Sequence, residues 1–161
     1  MARAIGIDLG TTNSLVAYVD ARNRPQVIPV DEGRMLLPSA VHYPPEGPIE
    51  VGASARRQAP QRPVDTVLSV KRFMGRGPGD IRPEDRGISR FDEAGQVVRL
   101  VVAGGRRAVT PIEVSAEILK VLKRRATEAL GEAPGGWPAW RSCGSSTSRP
   151  RPPWPTALTS G

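Results

Sequence analysis

Short apolar runs alternate with polar turns at the start of the chain. Ala4 to Leu9, Leu15 to Val19 and Gln26 to Val30 are rich in Ile and Val, and they are parted by Gly10-Thr11-Thr12-Asn13 and by Asp20-Ala21-Arg22-Asn23. Runs of this length between turn formers predict strands, and the short connections predict a three-strand antiparallel meander. Pro38, Pro44, Pro45, Pro48, Pro60 and Pro63 interrupt the stretch that follows. Proline gives no ladder hydrogen bond and breaks helices, so only short strands such as Ser39 to Tyr43 and Ile49 to Gly52 are expected there. Thr66 to Met74 predicts a short helix stopped by Gly75. Gln96 to Val109 holds two β-branched runs around Gly104-Gly105, the pattern of a hairpin.

The strongest helical pattern opens at Thr110. Pro111 suits a first helical turn, and Glu113 stands three residues after Thr110, which completes a capping box. Val114, Ile118, Leu122, Ala126 and Leu130 recur every four residues and Gly131 follows, so an amphipathic helix ending at that glycine is expected.

The chain has 161 residues, 39% hydrophobic and 24% charged, a composition that excludes wholesale disorder and gives room for one ordinary domain. Its formal charge is +7, yet Lys71, Lys120 and Lys123 are the only lysines; so lopsided a preference for arginine reflects coding bias more than nucleic-acid binding. A single cysteine cannot form an internal disulfide, no run approaches the ~20 apolar residues that a bilayer needs, and the N-terminus has no apolar signal core. A cytoplasmic protein without membrane or nucleic-acid partners is expected. Composition changes near Gly136. Trp137, Trp140, Trp154 and Cys143 all lie in residues 137–161, which contain no Asp or Glu.

Candidate chemistry centres on Gly6-Ile7-Asp8-Leu9-Gly10-Thr11-Thr12-Asn13-Ser14. An apolar strand carrying one acid and then turning through Gly, two threonines and an asparagine gathers backbone N–H groups and hydroxyls in one small volume. That volume suits phosphate oxygens, and Asp8 can hold a hydrated Mg²⁺. The same residues also fit an ordinary hairpin with an inward acid near its turn, and no Gly-Lys-Ser or Gly-Lys-Thr of a Walker loop follows. Lys71 alone reads as a solvated lysine. His42 lacks partners and reads as structural, Arg56-Arg57 with Arg62 and Arg106-Arg107 as solvated faces, and Cys143 has no second ligand at metal spacing.

These residues resemble the seventy-kilodalton heat-shock chaperones of the DnaK type, whose ATPase domain opens with Ile-Gly-Ile-Asp-Leu-Gly-Thr-Thr-Asn-Ser. The likeness continues through Leu37-Pro38-Ser39-Ala40-Val41, Val70-Lys71-Arg72-Phe73-Met74-Gly75-Arg76 and Thr110-Pro111-Ile112-Glu113-Val114-Ser115-Ala116-Glu117-Ile118-Leu119, and covers residues 2 to about 132. Arg34 to Tyr43, Ser69 to Arg72 and Arg125 to Leu130 look most like the iron-sulfur-assembly branch, HscA. The resemblance implies an α/β fold: part of an actin-like, ribonuclease H-like ATPase lobe, with an antiparallel meander and a crossover helix, incomplete. It also implies ATP and Mg²⁺ as cofactors, with Asp8 near the metal, Gly10, Thr11, Thr12 and Asn13 around the phosphates, and Lys71 as the catalytic residue reaching the γ-phosphate. In the intact family the partners are client peptides, a J-domain co-chaperone and an iron-sulfur scaffold.

Three family features have no counterpart in this sequence: the strand Val-Ile-Thr-Val-Pro-Ala-Tyr-Phe with its helix, the second phosphate loop Asp-Leu-Gly-Gly-Gly-Thr, and the adenosine-binding lobe. Residues 1–133 are therefore expected to be a partial nucleotide-binding domain, weak in ATP binding and without turnover. The missing strand is expected to leave a sheet edge open and Ile118, Leu122 and Leu130 partly uncovered. Residues 134–161 are expected to be a disordered, proline-rich, out-of-frame tail. The family segment Leu-Ala-Gly-Leu, written CTG GCC GGC CTG and begun one nucleotide later, gives TGG CCG GCC TGG, which is Trp137-Pro138-Ala139-Trp140, and a like reading extends to Leu158. Alternatives are a fragment of another actin-like ATPase or sugar kinase, and a small basic interaction module with a Pro-rich ligand tail.

Overall fold

A computed structural model describes residues 5–30, 33–92 and 97–131. The tail expected over residues 134–161 lies outside them. Strands β1 (Ile5–Leu9), β2 (Asn13–Val19) and β3 (Pro25–Val27) form the meander, antiparallel throughout, with Asp8 opposite Leu15 and Ala17 opposite Val27. Along β1 the alternation half-buries Ile5, Ile7 and Leu9 and leaves Gly6 and Asp8 exposed, as the period of two along a strand requires. Asp20 closes the β2–β3 turn by accepting the N–H groups of Arg22 and Arg24, both at 2.9 Å, an aspartate turn. Strand β3 ends before the expected Val30; Ile28 N–H still reaches the Val16 carbonyl at 2.8 Å, but Val30 N–H turns to Arg34.

A two-residue strand, β4 (Leu37–Pro38), lies against the start of β2, with Asn13 opposite Pro38 and Ser14 opposite Leu37. The chain passes directly into β5 (Ala40–His42), the centre of a second antiparallel sheet between β6 (Glu50–Val51) and β7 (Thr66–Leu68). Between the outer strands sits α1 (Ala53–Gln58), entered through Gly52 at φ +86°; a side chain there would meet Leu37 Cδ1 at 2.5 Å.

The helix expected over Thr66 to Met74 is not formed as such. Thr66, Val67 and Leu68 pair with His42, Val41 and Ala40, because two β-branched residues beside an open strand edge gain more from the ladder than from a helical turn. Ser69 then adopts φ +54°, a left-handed conformation that separates the strand from a single 3₁₀ turn, Val70–Phe73.

A third sheet contains β8 (Arg90–Asp92), β9 (Arg99–Val102) and β10 (Arg107–Val109). The β9–β10 hairpin turns at Gly104 and Gly105, both at positive φ, and the Asp65 carboxylate anchors it by accepting Gly104 N–H at 2.8 Å. The short helix α2 (Pro83–Arg86), which the sequence pattern does not announce, precedes β8.

Helix α3 (Pro111–Leu130) begins and ends where its sequence says. Glu113 N–H donates to Thr110 Oγ1 at 3.2 Å and Thr110 N–H donates to Glu113 Oε2 at 2.7 Å. That second bond is the main reason the Glu113 carboxyl is held below the usual carboxylate range. Gly131 closes the helix at φ +69°, its N–H on the Thr127 carbonyl. Val114, Ile118, Leu122 and Ala126 are fully buried against β1, β2, β5 and the Val70–Phe73 turn. Fully burying a side chain as large as Leu or Ile is worth roughly 1.5–3 kcal/mol, so this stripe ties the first two sheets into one core.

The expectation that Ile118 and Leu122 stand partly uncovered is therefore corrected. Elements before α3 cover both, and only Leu130, at the last turn, is half-buried. Among the described residues β1 pairs with β2 alone.

Candidate phosphate-binding turn

The turn Gly10–Asn13 joins β1 to β2 across the ladder's last pair, Leu9 opposite Ser14. It is too tight for a side chain at residue 10, where a Cβ would collide with the Asn13 carbonyl oxygen. Glycine is required there by the close approach of backbone. The side chains of Thr11, Thr12 and Asn13 make no hydrogen bond with the described residues, and neither Thr11 nor Thr12 spends its N–H on a backbone carbonyl. Donors of this kind left without partners at a tight turn are what an anion needs.

Asp8 is exposed on β1, two residues before Gly10. Among the described residues no three His, Cys, Asp or Glu side chains gather as metal ligands. One exposed carboxylate beside hydroxyls nevertheless fits Mg²⁺, which keeps several waters and takes one or two carboxylates together with substrate phosphates.

Lys71 comes to this side of the molecule through strand register. Ser39 follows β4, which pairs with β2 at Asn13; Ala40 follows Ser39 and pairs with Leu68; Lys71 stands three residues further on. The left-handed Ser69 and the 3₁₀ turn carry Lys71, exposed, away from the strand direction while Val70 and Phe73 enter the core. A cleft of about 100 Å³ lies between the two segments, lined by Thr12, Ser39, Arg56, Leu68 and Ser69 among others. The structure thus brings Thr12 and the start of the Lys71 segment to one cleft and places Asp8 next to the turn.

Arg56 was expected to belong to a solvated face. It is exposed, in keeping with that reading, and it also stands among the residues that line this cleft. The visible signal was only an arginine pair; its use depends on α1, which the sequence pattern did not reveal. His42 is buried in the middle strand of the second sheet and pairs with Thr66, Nδ1 to Oγ1 at 2.9 Å. Thr66 donates its own proton to the Arg62 carbonyl, so His42 Nδ1 is the donor, and the residue is a structural member of the β5–β7 ladder.

Residues 4–134 match the family model described as Hsp70 protein. The chain belongs to the Hsp70 family. Among curated relatives it is 48% identical over 130 residues to a chaperone protein HscA homolog of Cupriavidus metallidurans and 47% identical over 129 residues to one of Ralstonia pickettii. It is 49% identical over 128 residues to another HscA homolog, from Laribacter hongkongensis. In each case 80% of this chain is covered but only 20% of the relative, so the chain spans about a fifth of the length of the HscA homologs it matches. The Hsp70 match includes every element from β1 to α3 and stops within a few residues of Gly131. It covers an N-terminal, HscA-like part of an Hsp70 chaperone with a mixed α/β architecture.

Proposed function

We propose that residues 1–133 form the phosphate end of an Mg·ATP site in an HscA-type chaperone ATPase, one lobe of an actin-like fold in the cytoplasm. The observation that carries this reading is the Gly10–Asn13 turn: glycine-dependent, rich in uncommitted donors, and reaching through Thr12 a cleft that Arg56, Leu68 and Ser69 also line. In this reading Thr11, Thr12, Asn13 and the Gly10 backbone cradle phosphate oxygens, and Asp8 holds Mg²⁺ through its waters. Lys71 sits at the γ-phosphate, where positioned cations offset developing charge in phosphoryl transfer. The names of the relatives support iron-sulfur assembly as the setting, with client peptides, a J-domain co-chaperone and an iron-sulfur scaffold as the partners of the whole protein.

Among the described residues no second phosphate loop accompanies the turn, so these residues by themselves are expected to bind ATP weakly and without turnover. Residues 134–161 are in this reading an out-of-frame segment. The halt of the family match at residue 134, inside the chain, supports that. Titration calorimetry with Mg·ATP, comparing the wild type with Lys71→Ala, tests the site: weak binding made weaker by the substitution is expected. Sub-micromolar affinity, or hydrolysis abolished by Lys71→Ala, overturns the incompleteness, and no binding at all overturns the phosphate assignment. The coding DNA tests the tail: read one base back over codons 137 to 158, it should spell Leu-Asn-Glu-Pro-Thr-Ala-Ala-Ala.

A further inference from the structure

Two buried serines stand behind the Gly10–Asn13 turn. Ser39, 4% exposed, and Ser14, 1% exposed, bring their hydroxyl oxygens to 2.9 Å. Ser39 Oγ also lies 2.9 Å from the Gly10 carbonyl and donates to it. A hydroxyl has one proton. Once Ser39 has given its proton to Gly10, the bond between the serines must run from Ser14 to Ser39, which fixes a directed relay: Ser14 O–H to Ser39 O–H to Gly10 C=O. Ser39 also donates its backbone N–H to the Thr12 carbonyl at 2.9 Å. One residue therefore holds the turn at Gly10 and again at Thr12.

The two groups that Ser39 engages are acceptors. A turn that is to take phosphate must present N–H and O–H groups and keep its carbonyl dipoles away from the anion, since a carbonyl oxygen facing a phosphate is repulsive at short range. Ser39 ties the Gly10 and Thr12 carbonyls to the protein side, and the relay polarises the bond to Gly10. Thr11, Thr12 and Asn13 keep their side-chain donors uncommitted.

We propose that Ser39, oriented by Ser14, is a positioning residue of the phosphate turn: it touches no ligand and sets the turn in its anion-accepting form. The assignment rests on the phosphate reading of the turn given above, and its tests keep the two apart. In the full chain, Ser39→Ala should move the carbonyl ¹³C resonance of Gly10 and speed hydrogen exchange at the residue 39 amide by about tenfold, while amides of α3 keep their protection. Mg·ATP affinity should fall at least fivefold. Ser39→Thr, which keeps the hydroxyl, should restore both. Ser14→Ala, which leaves the bond to Gly10 in place but removes its orientation, should give a smaller change in the same direction, about two- to threefold, and serves if Ser39→Ala does not fold.

An unmoved Gly10 resonance and unchanged exchange in Ser39→Ala overturn the clamp, whatever the affinity does. If the clamp loosens as expected but the wild type binds no Mg·ATP, the phosphate reading fails and the clamp is structural alone. If the wild type binds and Ser39→Ala binds equally well, the turn takes phosphate without Ser39 and the positioning role is overturned.

Discussion

Helix α3 and the Gly10–Asn13 turn are built by opposite means. The helix is specified within its own sequence: Thr110 and Glu113 cap each other, Gly131 stops the last turn, and a four-residue repeat defines the buried face. The turn has little of this. Its tightness needs Gly10, but its shape is held by Ser39, which lies 29 residues away from Gly10 and reaches it only because β4 pairs with the start of β2. A locally specified element can form early and tolerate changes elsewhere; a remotely braced one exists only once the sheets have joined. The proposed phosphate site is of the second kind.

The largest effect expected from breaking this pattern is in the core that both regions share. Leu122→Ala leaves a cavity beneath a fully buried position and should lower unfolding free energy by about 2–5 kcal/mol, measured by urea denaturation. A loss below about 1 kcal/mol would show that the stripe of α3 is less tightly packed than described. Gly10→Ala comes next. The added methyl meets the Asn13 carbonyl, so the turn must open, at about 1–3 kcal/mol as for other overpacked sites, and with loss of any Mg·ATP binding. Retained binding would mean that the turn relaxes freely.

Thr110→Ala removes the helix cap at a cost of about 1 kcal/mol, without altering ligand binding, and so separates α3 from the site. The same cap has a pH signature. Because the Glu113 carboxyl is depressed mainly by the Thr110 backbone N–H, its contribution is fully present above the unfolded carboxylate value and is lost as pH falls through the lower folded one. Denaturation midpoints taken from neutral pH down into the acid range should drop less for Glu113→Gln than for the wild type, the glutamine being unable to titrate. The smallest effect on stability is expected for Lys71→Ala. An exposed side chain without a partner among the described residues should change unfolding free energy by no more than about 0.5 kcal/mol, whatever it does to phosphate binding.

Legibility in the sequence follows the same division. The meander, the β9–β10 hairpin and α3 could be read because alternation, turn glycines and caps are local signals. The segment over Thr66 to Met74 could not: its residues tolerate a helix, and the open edge of β5 decided for a strand. Helix α1 has six residues and no side-chain cap, too little pattern to announce itself, and with it went the position of Arg56. Gly10, Thr11, Thr12 and Asn13 were visible as a motif, and Lys71 through the family resemblance. The Ser14–Ser39 contact was not, because a serine after a proline carries no mark of a partner 25 residues distant.

Tyr43 gives the described body an optical reporter of its own. Trp137, Trp140 and Trp154 all lie outside the described residues, which leaves Tyr18 and Tyr43 as the near-ultraviolet absorbing side chains within them, apart from phenylalanine. Tyr43 is buried at the end of β5, with the Arg107 guanidinium 5.3 Å from the centre of its ring. Burial raises its phenol well above the ordinary value, with the Glu117 charge adding to the effect. The phenol therefore stays protonated further into alkali than an exposed tyrosine while the body is closed, so a slow part of a tyrosine absorbance change after a jump to high pH is expected to follow the opening of the chaperone's core.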